Sequence, residues 1–177
     1  MKTATTTKEV SLLEKIQKLD LEPIMVKLMD PDEGEAWTLE RAREMEVWYR
    51  RFLFLSVAYP HLSIVPTPDM DTFWHYHILD TQKYAEDCQI AFGYFLHHFP
   101  YFGMRGDQDR QNLMDASKET WALFRTHFNE DPAILRGESA KCTTDCTGKT
   151  CSHCQPPSCS SSAKTWNNER PRLAIAA

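Results

Sequence analysis

An all-α fold, a roughly antiparallel bundle of five or six helices over residues 8–137, follows from three observations on the sequence. Apolar residues recur three and four positions apart in one stretch after another, the spacing that gathers them on one side of a helix. No run shows the strict alternation of a half-buried strand. Proline, glycine and acidic breakers divide the chain into pieces of helical length. Of the 177 residues, 42% are hydrophobic and 11% aromatic, enough for a real core.

The elements follow in order. Val10, Leu13 and Ile16, flanked by Leu12 and Leu19, predict a first helix over 8–19. Pro23 suits the first turn of a short second helix reaching Met29, and residues 30–34, Asp-Pro-Asp-Glu-Gly, form a turn. Thr38 offers an N-cap to a long third helix over 38–59, although Arg41 stands where a capping box wants an acid. Met45, Trp48, Phe52, Leu55 and Tyr59 line one face of it. Leu53 and Phe54 widen that face, so this helix is expected to be central. Pro60 ends it.

After a connector fixed by Pro66 and Pro68, Asp69 or Asp71 is expected to cap a fourth helix running to about Asp80. Thr81 restarts a fifth segment that ends at about Phe92, before Gly93. Residues 95–102, Phe-Leu-His-His-Phe-Pro-Tyr-Phe, fit a short helix or a packed loop. Phe92, Tyr94, Phe95, Phe99, Tyr101 and Phe102 are expected in the core or as the apolar wall of a polar site. Asp107 or Asp109 starts the last helix, to about Phe128, with Leu113, Ser117, Trp121, Phe124 and Phe128 as its stripe.

Composition narrows the partners. The net charge is −5 and no basic block occurs, which argues against nucleic acid. No apolar run is long enough to span a bilayer. Residues 1–7 are expected to be a flexible N-terminus without the apolar stretch of a secretory signal, which places the chain in the cytoplasm. There its six cysteines would be thiols or metal ligands.

Chemistry concentrates between Asp71 and Cys88. Helical residues three or four apart share a face, whereas residues two apart point roughly 200° away from each other. Asp71 and His75 therefore share one face, while His77, Asp80, Thr81 and Tyr84 share another if the helix is continuous. His75 and His77 cannot both bind one ion from a regular helix, so ligands from elsewhere are needed, and His97 with His98 is the obvious source. Two histidines and a carboxylate suit iron; three histidines and a water suit zinc. The plainer reading makes one histidine a core residue bonded to Asp71 or Asp80 and leaves the others on the surface. Cys88, four residues after Tyr84, reads as a small packed core residue rather than a nucleophile.

Beyond Gly137 the composition changes. Sixteen of the twenty-seven residues from Ser139 to Thr165 are Ser, Thr or Cys, so residues 138–177 are expected to form a flexible tail unless something binds them. Cys142, Cys146, Cys151, Cys154 and Cys159 lie there, with His153 inside the closest pair. Thiolates at such spacing favour zinc, copper(I) or an iron–sulfur cluster, but this is not a standard zinc-finger pattern. The tail can equally be a plain extension, or a substrate for peptide-modifying enzymes that act on Cys, Ser and Thr.

The central stretch resembles the glycine-rich domain-containing protein-like family. The matching residues are Pro66 and Pro68, Asp71-x2-Trp74-His75-x-His77-x-Leu79, and Tyr84-x3-Cys88. The resemblance covers about residues 40–130 and is specific between 66 and 98. It implies a helical site that includes His77 foremost, then His75, Asp71, Tyr84 and Cys88, and it supplies no reaction. The glycine-rich segment that names the family is absent here.

These readings converge on a helical protein that binds a transition metal (iron, copper or zinc) through His75, His77, Asp71 and His97 or His98. Tyr84 and Cys88 would stand near the site, and the tail would be carrier or substrate. Two other functions remain open: the folded leader of a ribosomally made, modified peptide precursor, and a non-catalytic interaction domain.

Overall fold

A computed structural model of the chain describes residues 7–137 and 170–173. The expected flexible ends at 1–6 and 138–169, and all five tail cysteines, lie outside the described residues. Six helices run in order: α1 (Thr7–Gln17), α2 (Glu22–Met29), α3 (Leu39–Ala58), α4 (Pro68–Leu79), α5 (Thr81–Ala91) and α6 (Asp107–Phe128), followed by a 3-10 turn, Pro132–Gly137. Among the described residues there is no strand. The described residues form an all-helical fold, as expected.

α3 is the central element. Eight of its residues are buried, among them Met45, Trp48, Tyr49, Phe52, Leu53 and Phe54, and they point to more than one side. α1, α2 and α4 pack on it. α6 joins through Phe124 against Trp48, 5.5 Å between ring centroids, and Phe128 edge-on to Phe54 at 5.8 Å. Truncating one of these buried aromatics would cost about 3–5 kcal/mol. Thr38 caps α3 as expected, its hydroxyl accepting from the Arg41 amide at 3.2 Å.

Three local outcomes position the site. The cap of α4 is Thr67, not Asp69 or Asp71, because Pro68 occupies the first helical turn and has no N–H to satisfy. Asp69 pairs instead with Arg41 at 2.6 Å, which ties the start of α4 to the start of α3. Asp80 both ends α4 and caps α5, accepting from the Lys83 amide at 3.2 Å. The two helices are therefore not one, and α5 packs back on α4. Gly93, at φ 81°, closes α5 and releases residues 95–99 as an irregular loop.

Of the two places expected for these aromatics, the core and the apolar wall of a polar site, the core is not where most of them lie, while Phe99 and Phe102 line a cleft beside Asp71 and His98. Tyr94, Phe95, Phe99 and Tyr101 are exposed; Phe92 and Phe102 are half-buried. Without a helical period, alternate aromatic rings cannot all turn inward, and the inward positions go to Leu96 and His98.

The far C-terminal stretch contributes an unexpected contact. Arg170 makes a two-point pair with Asp80, at 2.6 and 3.0 Å. Arg172 pairs with Asp20 at 2.5 Å and Glu22 at 3.2 Å. The Leu173 amide donates to Glu22 at 2.7 Å, and its side chain packs against the core. Residues 170–173 are thus docked, within a region expected to be free.

Candidate metal centre

Asp71 and His75, one turn apart, present their polar atoms on one face of α4, and the 95–99 loop brings His98 over them. His98 Nε2 lies 3.0 Å from His75 Nε2 and 3.1 Å from Asp71 Oδ1; His75 Nε2 lies 3.5 Å from Asp71 Oδ2. Donor atoms bound at about 2.0–2.2 Å to one ion stand about 2.9–3.5 Å from each other. The two nitrogens fall in that range, each with a different Asp71 oxygen at 3.1 or 3.5 Å, and one donor atom per side chain lies within 4.8 Å of the other two.

With Nε2–H on His98, that proton is shared between His75 Nε2 at 3.0 Å and Asp71 Oδ1 at 3.1 Å, so neutral rings satisfy both hydrogen bonds, and a bound cation would take the place of that proton. The side chains of His75, Asp71 and His98 are 50%, 35% and 16% exposed, so an ion held here would keep open positions.

His98 is held from behind. Its ring lies 4.6 Å from that of Trp74, whose Nε1 donates to the Tyr84 hydroxyl at 2.9 Å. That hydroxyl in turn donates to the carbonyl of Leu96 at 2.5 Å, two residues before His98. Burial pushes the Tyr84 phenol far above its ordinary range, so it remains a donor.

His77 does not join this cluster. It is buried on the opposite side of α4, as the two-residue spacing requires. The Tyr49 hydroxyl lies 2.9 Å from Nδ1, and Asp87 Oδ2 lies 3.0 Å from Nε2. Lys83 reaches the same Asp87 oxygen at 2.9 Å. Burial lowers the His77 pKa against the pull of Asp87. For Asp87, burial works upward, but the bonds from His77 and Lys83 outweigh it and keep the carboxyl below its usual range. The consistent state is neutral His77, with Nε2–H on an ionised Asp87 and Nδ1 accepting from Tyr49. The expected partner of a core histidine, Asp71 or Asp80, is therefore replaced by Asp87. The break at Asp80 brings α5 back beside His77, a pairing that a continuous helix would not give.

His97 is exposed and packs on Phe95, 4.9 Å between centroids, so of the histidine pair it is His98 that turns inward. Cys88 is a buried free thiol whose pKa is raised by burial, in keeping with a packed core residue.

A cleft of about 640 Å³ opens beside Asp71 and His98. Val65, Pro66, Trp74, Phe99, Phe102 and Leu113 give it apolar walls, and Arg105 stands at its rim. Arg105 lies over the Phe99 ring at 5.1 Å and is pinned to Asp109 through Nη2 at 2.7 Å and Nε at 3.2 Å. This pair, with amide bonds from Arg105 and Gly103, holds the Asp109 carboxyl at about 2. Gly103 has φ 88°, and a Cβ there would meet Leu113 Cδ2 at 2.5 Å, so the cleft wall requires glycine at this turn.

The comparison with known families is decided over this same region: the model of the UCP032817-like family matches residues 13–133, from within α1 to the start of the 3-10 turn. The chain belongs to the UCP032817-like family. This corrects the resemblance to the glycine-rich domain-containing protein-like family, which rested on a short motif between residues 66 and 98. Much of that motif is accounted for by packing: Trp74, His77, Tyr84 and Cys88 are all core residues here. The description of the UCP032817-like family names no activity. No curated protein and no solved structure matches the chain. No helix among the described residues is long and apolar enough to cross a membrane.

Proposed function

We propose that this UCP032817-like protein binds a divalent transition metal, iron(II) or zinc, through Asp71, His75 and His98. The observation that carries the reading is the convergence of two imidazole nitrogens and one carboxylate from two separate parts of the chain, the nitrogens 3.0 Å apart and at 3.1 and 3.5 Å from different oxygens of Asp71. Two imidazoles and a carboxylate leave coordination positions open, the arrangement used by metal sites that activate water or dioxygen. The adjoining apolar cleft supplies room for a second reactant. Metal-dependent oxidation or hydrolysis is the reaction class this supports. A reducing compartment such as the cytoplasm fits iron(II) and an unpaired Cys88 thiol.

The test is metal content per chain, by elemental analysis, of full-length protein purified without a histidine tag, alongside His75→Ala and His98→Ala variants. Near-stoichiometric metal in the parent and its loss in both variants supports the reading. Equal metal in all three, or none in the parent after incubation with iron(II) or zinc, overturns it.

A further inference from the structure

The cleft beside the three ligands has a chemical character of its own. Its walls are aromatic, prolyl and aliphatic: Trp74, against the His98 ring, with Val65, Phe99, Phe102 and Leu113. Among the described residues of the lining, Asp71 is the sole acid, and a divalent ion would more than cancel its charge; Arg105 is the one permanently charged cation among them. Its Nε and Nη2 are committed to Asp109, while Nη1 donates to no described residue. The cleft thus joins an apolar body to the ligand cluster, where a bound ion would supply the positive charge, with the Asp109-paired Arg105 as a second cation over the Phe99 ring. Its volume suits a small organic molecule, not a folded partner.

We propose that the site takes an apolar, ring-bearing monocarboxylate. The carboxylate occupies open positions on the metal, and the hydrocarbon body lies between Trp74 and the Phe99–Phe102 wall. This deepens the metal reading and rests on it. An oxyanion head is favoured over a neutral one by the charge of the ion and by Arg105, and an aromatic body is favoured by the rings that line the walls. Binding exchanges water on the ion for the carboxylate; no covalent bond of the ligand is made or broken.

The experiment uses full-length protein loaded with cobalt(II), whose visible bands report ligand exchange at the ion. It is titrated separately with 3-phenylpropionate and with acetate, which carry the same head with and without the body. The expected half-saturating concentration of 3-phenylpropionate lies about tenfold or more below that of acetate, a factor equal to about 1.4 kcal/mol. A Phe102→Ala variant, outside the ligand set, brings the two values together. Cobalt bands that depend on His75 and His98 but respond equally to both acids overturn the substrate class and leave the metal reading standing. Intense sulfur-to-cobalt bands that phenylpropionate does not displace would put the chain's own thiolates on the ion and also overturn it. Absence of bands dependent on His75 and His98 removes the metal reading, and this proposal with it.

Discussion

His75 and His98 are 23 residues apart in sequence, yet their Nε2 atoms meet at 3.0 Å beside the Asp71 carboxylate. One sits on a helix and the other on a loop, so the folded state pre-assembles a site that the unfolded chain lacks. Metal should therefore stabilise the fold. Free metal at 100 times the dissociation constant adds about 2.7 kcal/mol if the unfolded chain does not bind it. The thermal midpoint should rise with added zinc in the parent and stay nearly constant in His98→Ala. The half-buried loop position of His98 makes that variant close to the parent in metal-free stability.

His77→Ala should behave in the opposite way. It deletes the centre of the Tyr49–His77–Asp87–Lys83 network and leaves a buried phenol and carboxylate short of partners. The expected loss is about 1–3 kcal/mol in urea unfolding, typical of unsatisfied buried polar groups. Metal content per folded chain should remain that of the parent.

Tyr84→Phe probes the support behind His98. It removes the acceptor of Trp74 Nε1 and the donor to the Leu96 carbonyl at once. Metal affinity should weaken about 10–100-fold, as for other residues that orient a ligand. Competition with a chromogenic chelator measures this. Unchanged affinity in a folded variant would show that the loop holds His98 without the tyrosine.

The Arg170–Leu173 contact should be sensitive to acid and salt. Arg172 holds the Asp20 carboxyl below its usual range, and Arg170 does the same for Asp80. A depressed carboxyl stabilises the docked state fully above its free value of 3.8, and that contribution is lost as pH falls through the lower docked value. Protection of the Leu173 amide from hydrogen exchange reads the contact directly. It should decline below about pH 4 and in molar salt, where these partly exposed pairs are screened. Arg172→Glu should abolish it at neutral pH without altering exchange in α3.

Much of the fold could be read from local pattern. The stripe from Met45 to Leu55 identified α3 as central, and Thr38, Pro23 and Pro60 bounded helices as their backbone chemistry demands. Helical spacing also separated His77 from Asp71 and His75, although His77 was still expected among the ligands, and of the His97–His98 pair expected to approach them it is His98 that does. What local pattern could not supply was long-range pairing. Asp87 reaches His77 only because Asp80 turns the chain, and His98 rather than His97 faces inward because Tyr84 grips Leu96. The roles of Tyr49, Lys83, Arg105 and Arg170 share that origin: each is set by a partner elsewhere in the fold. The break after Asp80 was legible, with Thr81 restarting the chain as a fifth segment; what it did not give was the direction of the return, which brings Asp87 to His77.

X-ray absorption on the metal-loaded, full-length protein tests the central claim most directly. The account predicts a shell of nitrogen and oxygen at about 2.0–2.2 Å, the outer-shell signature of two imidazoles, and no sulfur. A sulfur shell at about 2.3 Å, or imidazole scattering that persists in the His75→Ala, His98→Ala double variant, would contradict it.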